Sequence, residues 1–384
     1  MKVAVLGYGT VGAGVYSMLS DAPGMEAGPV LVRPGKAVES FMVSDAALIF
    51  GDPTVDAVVE TLGGLDPAYS YGMRALEAGK HFITANKVMV ASHGLELAAL
   101  AREKGAAFLF SAACGGGVPF LHNLALSAET DRIEAVSGIL NGTTNYMLDA
   151  MQRRGLSYGD ALREAQSLGY AESDPTADVS GLDALRKMQL ACAVAFGVLP
   201  QSGMLCEGME HFTAEDVEDI QSRGLVCRLM ARGSRAGESV SAYVEPVLFP
   251  RAAPESSVFT NNNMASYTGK RCGSIVLMGQ GAGRFPTASA VLRDLAAAQQ
   301  GARSMFPENC RAAEADNREA VHSYYIRTGG FAAVRLSLRS VLAQGEVVRA
   351  VTEPMSAEKM HALAQNIRKD GNDLFFAALE EELC

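Results

Sequence analysis

Along the first 125 residues, short apolar runs alternate with stretches whose apolar positions recur every three to four residues. Residues 2–6 (KVAVL) are apolar and β-branched, 55–61 (VDAVVET) are similar, and 81–84 and 107–110 continue the series. Between them the spacing predicts helices over 12–20, 67–79 and 88–104, the second closed by Gly79 as a C-terminal cap. Residues 25–50 are irregular, and only PVLVR (29–33) offers a second strand. Alternation of this kind builds a doubly wound parallel sheet with crossover helices.

From Arg132 the texture changes. A strand, IEAVSGIL, leads into a Met-rich helix over 142–153, then helices near 157–168 and 178–197, a helix at 213–223, and strands near 240–249 and 274–278. This segment reads as α+β. A helix over 286–300 opens on a proline, as helices often do. Residues 301–320 are polar and read as a linker. The tail reads strand (322–328), helix (331–345), strand (346–353), helix (356–371), strand (374–381). The expected domains are 1–130, completed by helix 286–300; 131–280, for substrate and dimerisation; and a small βα module at 321–384.

Composition narrows the classes. At 384 residues and roughly 150 residues per domain, two or three domains fit. Lys and Arg number 33 against 43 Asp and Glu, a net charge of −10, which argues against a nucleic-acid partner. No apolar run approaches the roughly 18 residues of a membrane span. The opening MKVAVLGYGTVG is a strand running into glycines, not a signal peptide. Seven cysteines, an odd number without CxxC spacing, suit a reduced, cytoplasmic chain.

The candidate chemistry begins at GYGTVG. Gly7, Gly9 and Gly12 have the GxGxxG spacing directly after a strand and at the start of a helix. Gly7 permits the turn, Gly9 the approach of a pyrophosphate, and Gly12 the packing of helix on strand. The fold class is therefore α/β, with a Rossmann-type doubly wound sheet. At the end of the second strand stands Arg33, followed by Pro34, Gly35 and Lys36, with no acid to hold a ribose 2′-hydroxyl. Arg33 can pair a 2′-phosphate instead, which favours NADP(H) over NAD(H); a plain surface arginine is the alternative. TANK (84–87) sets Lys87 at the C-terminal end of a strand, where ligands of such sheets bind; a solvated surface lysine fits its position equally well.

Asp183 and Lys187 share a helix face at i,i+4, and that face turns apolar one turn later. A surface ion pair is the plain reading, a partly buried functional pair the sharper one. Upstream, GYAESDPTAD packs Glu172, Asp174 and Asp178 into seven residues, suited to a cation or a substrate ammonium group, or simply to capping the helix with Asp178. CGGGVP (114–119) and GQGAGRFPT (279–287) both place glycines before a helix start. Cys114 reads as a small buried residue rather than a nucleophile, because no histidine lies nearby in sequence. The six histidines show no metal-ligand spacing.

GYGTVG, ETLGG (60–64), TANK, GILNGTTNYML (138–148), GYAESDPTADVSGLDALRK (169–187) and GQGAGRFPTASAV (279–291) together resemble the homoserine dehydrogenase family, in order and over roughly residues 1–300. The resemblance implies NAD(P)-dependent interconversion of L-aspartate 4-semialdehyde and L-homoserine, a step toward threonine, methionine and isoleucine, by a homodimer. It implies Lys187 as general acid/base and Lys87 beside the reacting oxygen and the cofactor. Glu172, Asp183 and Asp178 would bind substrate. Gly7, Tyr8, Gly9, Thr10, Val11, Gly12, Arg33, Lys87, Gly169 and Gly283 would contact the cofactor.

Two departures stand out. The family places a glutamate where this chain has Ser111, and its carboxylate helps bind a monovalent cation with backbone groups at Cys114, Gly116 and Val118. Without that charge a weakened or altered cation site is expected. The tail sits where many bacterial members carry a threonine-sensing ACT module, but it is short, with Gly330 where an Asp-x-x-Gly turn would stand; it reads as a degenerate version. The alternatives are an aspartate-semialdehyde dehydrogenase, which needs a nucleophilic cysteine, and a non-catalytic nucleotide or amino-acid sensor, which would have no use for both lysines.

Overall fold

The computed structural model describes residues 1–329, 334 and 338–380. Two compact units emerge: 1–132 with 189–199 and 279–311, and 133–188 with 200–278 and 312–384.

The first unit carries β1 (Lys2–Leu6), β2 (Glu26–Leu31), β3 (Met42–Val43), β4 (Ala57–Glu60), β5 (His81–Thr84) and β6 (Phe108–Leu109). Its helices are α1 (Thr10–Leu19), α2 (Ala47–Phe50), α3 (Ala68–Glu77), α4 (Lys87–Lys104) and α5 (Phe120–Thr130). The six strands are parallel, in the order β3-β2-β1-β4-β5-β6. Strands such as VAVL and AVVE are buried along their length because helices cover both faces. The second strand begins earlier than its apolar run suggests, at Glu26. One extra residue near Gly28 and Pro29 shifts its register, so that Val3 pairs with Ala27 but Val5 with Val30. The irregular stretch after it holds β3 and α2.

The second unit begins with β7 (Ile133–Ile139), α6 (Gly142–Arg154), α7 (Tyr158–Ser167), α8 (Thr176–Val179) and α9 (Leu182–Phe196), whose residues from Gln189 onward belong to the first unit. β8 (Val198–Ser202), β9 (Leu205–Cys206), α10 (Ala214–Ser222), β10 (Leu225–Ala236), β11 (Ser239–Pro250), β12 (Asn262–Gly269) and β13 (Gly273–Gln280) follow. α11 (Arg284–Gln299) returns to the first unit. The expected helix 178–197 is broken in two. Gly181 adopts φ +82°, and the carbonyls of Val179 and Ser180 turn away to accept from Met209 N–H and Cys206 Sγ–H. The strands β10 and β12 add to the expected set.

Residues 301–320 are not wholly a linker, since Arg311–Glu314 forms β14. The tail contains β15 (Val321–His322), β16 (Tyr324–Thr328), β17 (Leu338–Gln344), β18 (Val348–Thr352), β19 (Met355–Ser356), α12 (Ala357–Lys369) and β20 (Leu374–Leu379). The expected helix 331–345 gives way to strand over 338–344, where pairing with β18 overrides helix propensity. Residues 331–333 and 335–337, and Gly330 with its expected turn, lie outside the described residues. The tail was expected as a small module of its own, but β16, β17, β18 and β20 enter the sheet of the second unit, in the order β13-β12-β7-β10-β11-β20-β16-β18-β17, while β15 and β19 pair with each other. The cause is β20. Its LFFAAL is buried at every position, runs parallel to β11 and pairs antiparallel with β16. One apolar core then joins Met230, Phe249 and Met264 to Tyr324, Met360 and Phe376. No helix among the described residues is long and apolar enough to cross a membrane.

Candidate active site

In the first unit the site is built at the carboxyl ends of the parallel strands. Gly7 closes β1 at φ +97°, a conformation that suits glycine. A Cβ on Gly12 would lie 2.1 Å from Gly7 O and 2.7 Å from Thr61 Oγ1, so only glycine lets α1 sit this close to β1. Around Gly9, by contrast, a Cβ would meet nothing within 4 Å on the protein side. Gly9 is the N-cap of α1, whose first turn, including Thr10 and Val11, has no acidic residue; its amides form the positive end of the helix.

Gly7 and Gly9 line a cavity of about 1100 Å³, together with Tyr8, Arg33, Lys36 and Glu39. Arg33 and Lys36 were legible as basic residues after the second strand. Glu39 was not, because it follows the strand end by eight residues and is brought back by the turn before β3.

Beside the cavity the ends of β4 and β5 are laced together by a buried carboxylate. Glu60 accepts from Thr84 Oγ1 (2.5 Å) and from Leu62 N–H (2.6 Å), and burial pushes its carboxyl above the usual range. Asn86 caps α4 by accepting from Met89 N–H (3.1 Å), while its amide donates to Gly64 O (2.5 Å). Half-buried Lys87 is the first residue of that helix. ETLGG and TANK, far apart in sequence, thus form one rim.

The two glycine loops also meet. Gly117 N–H donates to Gln280 O (3.0 Å), and a Cβ on Gly116 would lie 2.3 Å from Gly281 O. Gly283 is the N-cap of α11. Cys114 is fully buried in this loop. The monovalent cation implied at 111–118 does not fit these residues. Ser111 is neutral, and its hydroxyl (2.5 Å) and N–H (2.8 Å) both go to the carboxylate of Asp294, which burial raises to about 7. Val118 O already accepts from Phe120 N–H (2.8 Å). Among the described residues no group of three or more His, Cys, Asp or Glu is arranged to hold a metal ion.

In the second unit, the first turns of α9 carry Asp183 and Lys187, both with side chains about one-tenth exposed. Lys187 Nζ donates to Asp183 Oδ2 and to Leu140 O, each at 2.6 Å. Asn141 donates to Asp183 Oδ2 (2.9 Å) and Asp178 Oδ1 (2.7 Å), and its own oxygen caps α6 by accepting from Thr144 N–H (2.8 Å). Thr143 Oγ1 donates to Tyr170 O (2.6 Å) and reaches Asp178 Oδ2 (3.1 Å). Burial, reinforced by nearby Asp183, raises the Asp178 carboxyl. Asp178 therefore does not cap a helix, as its position in sequence allowed; Pro175 stands at that place in α8. The surface ion-pair reading of Asp183 and Lys187 gives way to a partly buried network.

Glu172 and Gly169 are exposed on the segment between α7 and α8. Glu172 offers its backbone carbonyl to Gln166 (3.1 Å). Asn141 and Thr143 were the residues missed. NGTT reads as a helix cap, and nothing in its spacing announces carboxylates 37 to 42 positions away.

Two family profiles match the chain: homoserine dehydrogenase over residues 119–296, and the homoserine dehydrogenase NAD-binding domain over 7–111. The homoserine dehydrogenase of Synechocystis is 37% identical over 319 residues, 77% of this chain and 72% of that protein. That of Corynebacterium glutamicum is 38% identical over 317 residues, 77% and 71%. The crystal structure of a homoserine dehydrogenase from Thiobacillus denitrificans matches with a TM-score of 0.88 at 30% identity, over 99% of this chain and 98% of that one. That from S. aureus matches at 0.77 and 26% identity, over 100% and 99%.

Proposed function

Because the chain belongs to the homoserine dehydrogenase family, NAD(P)-linked oxidoreductases acting on a CH–OH group, we propose that Lys187 moves the proton of its reaction. Neither the aspartate-semialdehyde dehydrogenase reading nor the sensor reading finds support among these relatives. The observation that carries the proposal is the Lys187 network: an ammonium group oriented by Asp183 and Leu140 O, with Asn141 locking Asp183 to Asp178.

Bound nicotinamide supplies or accepts the hydride at the carbon. Lys187 donates a proton to the oxygen that becomes the hydroxyl of homoserine and takes it back in the oxidative direction. The same ammonium stabilises negative charge developing on that oxygen. Lys87, at the N-terminus of α4, lies beside the reacting oxygen and the cofactor. Asp178, Asp183 and exposed Glu172 form an acidic surround for the substrate's ammonium group. Gly7 to Gly12, with Gly283 and Gly169, contact the cofactor through backbone. NADPH oxidation followed with L-aspartate 4-semialdehyde is the direct test; no oxidation of NADPH or NADH would end this reading.

The cofactor is NADP(H) in preference to NAD(H), on the strength of Arg33 and Lys36 at the cavity wall; Glu39 is the one nearby group that favours a free ribose hydroxyl. Arg33→Ala is expected to lower kcat/KM for NADPH about tenfold, the worth of a charge-assisted hydrogen bond of roughly 1.5 kcal/mol, and to leave NADH nearly unchanged. Steady-state kinetics with both cofactors decides it, and an equal loss for each would remove Arg33 from phosphate recognition. An odd number of cysteines without CxxC spacing favours a reducing, cytoplasmic setting.

The working form is a homodimer through the second unit. The edge strand β13 presents Val276 and Met278, 49% and 60% exposed, a face that a second copy would cover. Light scattering at micromolar concentration should give twice the chain mass, and Met278→Lys should shift it toward the monomer. A wild-type monomer would refute this assembly.

A further inference from the structure

The loop 111–118 lacks the charge its family resemblance calls for, yet it is held on several sides. Asp294, fully buried on α11, accepts two hydrogen bonds from Ser111 at the start of the loop. Its neighbour on the helix, Arg293, extends a guanidinium to Gly117 O at 3.0 Å. The residue is partly exposed, but its Nε is buried without a hydrogen-bond partner, so that end of the guanidinium has been desolvated where the contact is made. A positive charge thus rests against a backbone carbonyl of the glycine loop, one residue along α11 from the Asp294 carboxylate that holds Ser111.

We infer that the Arg293 guanidinium on Gly117 O, together with Asp294 on Ser111, braces this loop in place of a bound monovalent cation. A carboxylate lowers the cost of stripping a dissociable ion's water, and the position for one is filled by Ser111. The only carboxylate seen to bond Ser111 gives one oxygen to its N–H and the other to its hydroxyl. A guanidinium carried on a helix needs no binding equilibrium. Its planar donors match carbonyl oxygens, and its charge cannot titrate in the working range. Arg293 and Asp294 are therefore positioning residues for a loop that packs against Gln280 and Gly281.

This inference rests on the loop, and two of its readouts need no turnover, so it can fail or stand apart from the assignment of Lys187. Thermal unfolding of the whole protein is compared in sodium, potassium and tetramethylammonium chloride at equal ionic strength, with the sodium-23 line width recorded alongside. The wild type should melt within about 1 °C in all three salts and leave the sodium line unbroadened. Arg293→Ala should melt several degrees lower in every salt, at roughly 2–4 °C per kcal/mol for a domain of this size, and lose about tenfold in kcat. Arg293→Lys, or tens of millimolar guanidinium with Arg293→Ala, should restore part of that activity. Ser111→Glu, which sets a second carboxylate against Asp294, should destabilise. Selective stabilisation of the wild type by sodium or potassium would overturn the inference. So would an Arg293→Ala protein with normal melting and kcat, or a failure of both lysine and guanidinium to recover any activity.

Discussion

Lys187→Ala should lower kcat at least about a hundredfold while NADPH affinity stays near that of the wild type. The magnitude follows from general acid–base catalysis, which contributes roughly 10²–10⁴ in rate. The split follows from placement. Lys187 hydrogen-bonds within its own network around α9 and Leu140, whereas the glycines proposed to hold the pyrophosphate lie in the other unit. Removing the ammonium also leaves Asp183 with fewer partners in a nearly buried position, at a cost on the order of 1–3 kcal/mol. A circular-dichroism spectrum and an NADPH titration on the variant separate that loss from the chemistry. Glu172→Ala makes the contrast, raising KM for the amino-acid substrate with little change in kcat. A Lys187→Ala enzyme with near-normal kcat would return the residue to an ordinary ion pair.

The second large effect belongs to Gly12. In Gly12→Val the new Cβ would stand 2.1 Å from Gly7 O, a backbone atom that cannot swing aside. Either α1 lifts from β1 or the Gly7 turn opens, and both displace the amides that would hold the pyrophosphate. Overpacking alone costs roughly 1–3 kcal/mol, and NADPH affinity should fall by more than about a hundredfold. Gly9→Ala is the control. A methyl there meets no protein atom within 4 Å, so the melting temperature should hold while the cofactor is repelled. Fluorescence titration of NADPH with both variants, beside their melting curves, gives the answer. Wild-type affinity in Gly12→Val would show that the turn does not carry the phosphates.

The sequence announced those parts whose logic is local. A glycine fingerprint, an apolar strand and a helix period each lie within a dozen residues, and the first unit follows them closely. What escaped depends on distance. LVCRLMARGSRA shows no clean alternation, because β10 is buried through its middle on both faces and an arginine, Arg228, is buried in it on carbonyls of Cys227, Glu255 and Ser256. β12 opens on asparagines, which strands disfavour, and is held by pairing with β7. The break at Gly181 is imposed by donors at 206 and 209. Within the candidate site, Lys187 and Asp183 stood out through their i,i+4 spacing. Asn141, Glu60 and Asp294 did not, because each is a polar residue in an ordinary setting whose meaning comes from a partner on another element. Motif resemblance pointed to stretches of chain; only the fold says which atoms in them touch.

The place of β20 has a consequence for how the protein is made. Among the described residues β20 is the last strand in sequence, yet in the sheet it lies between β11 and β16, pairing the early strands to the β16-β18-β17 group. Until residue 374 is made, β16 and the Val247–Leu248 stretch of β11, beyond the part that β9 pairs, present open edges, and edges of that kind recruit strands from other chains. The first unit's parallel strands are complete by residue 109, but the second must wait for almost the whole chain to emerge. Between the emergence of residue 250 and that of residue 374, about a third of the chain, a nascent chain carries part of this sheet uncapped, a window in which a chaperone bound along β11 would keep it from pairing with other chains.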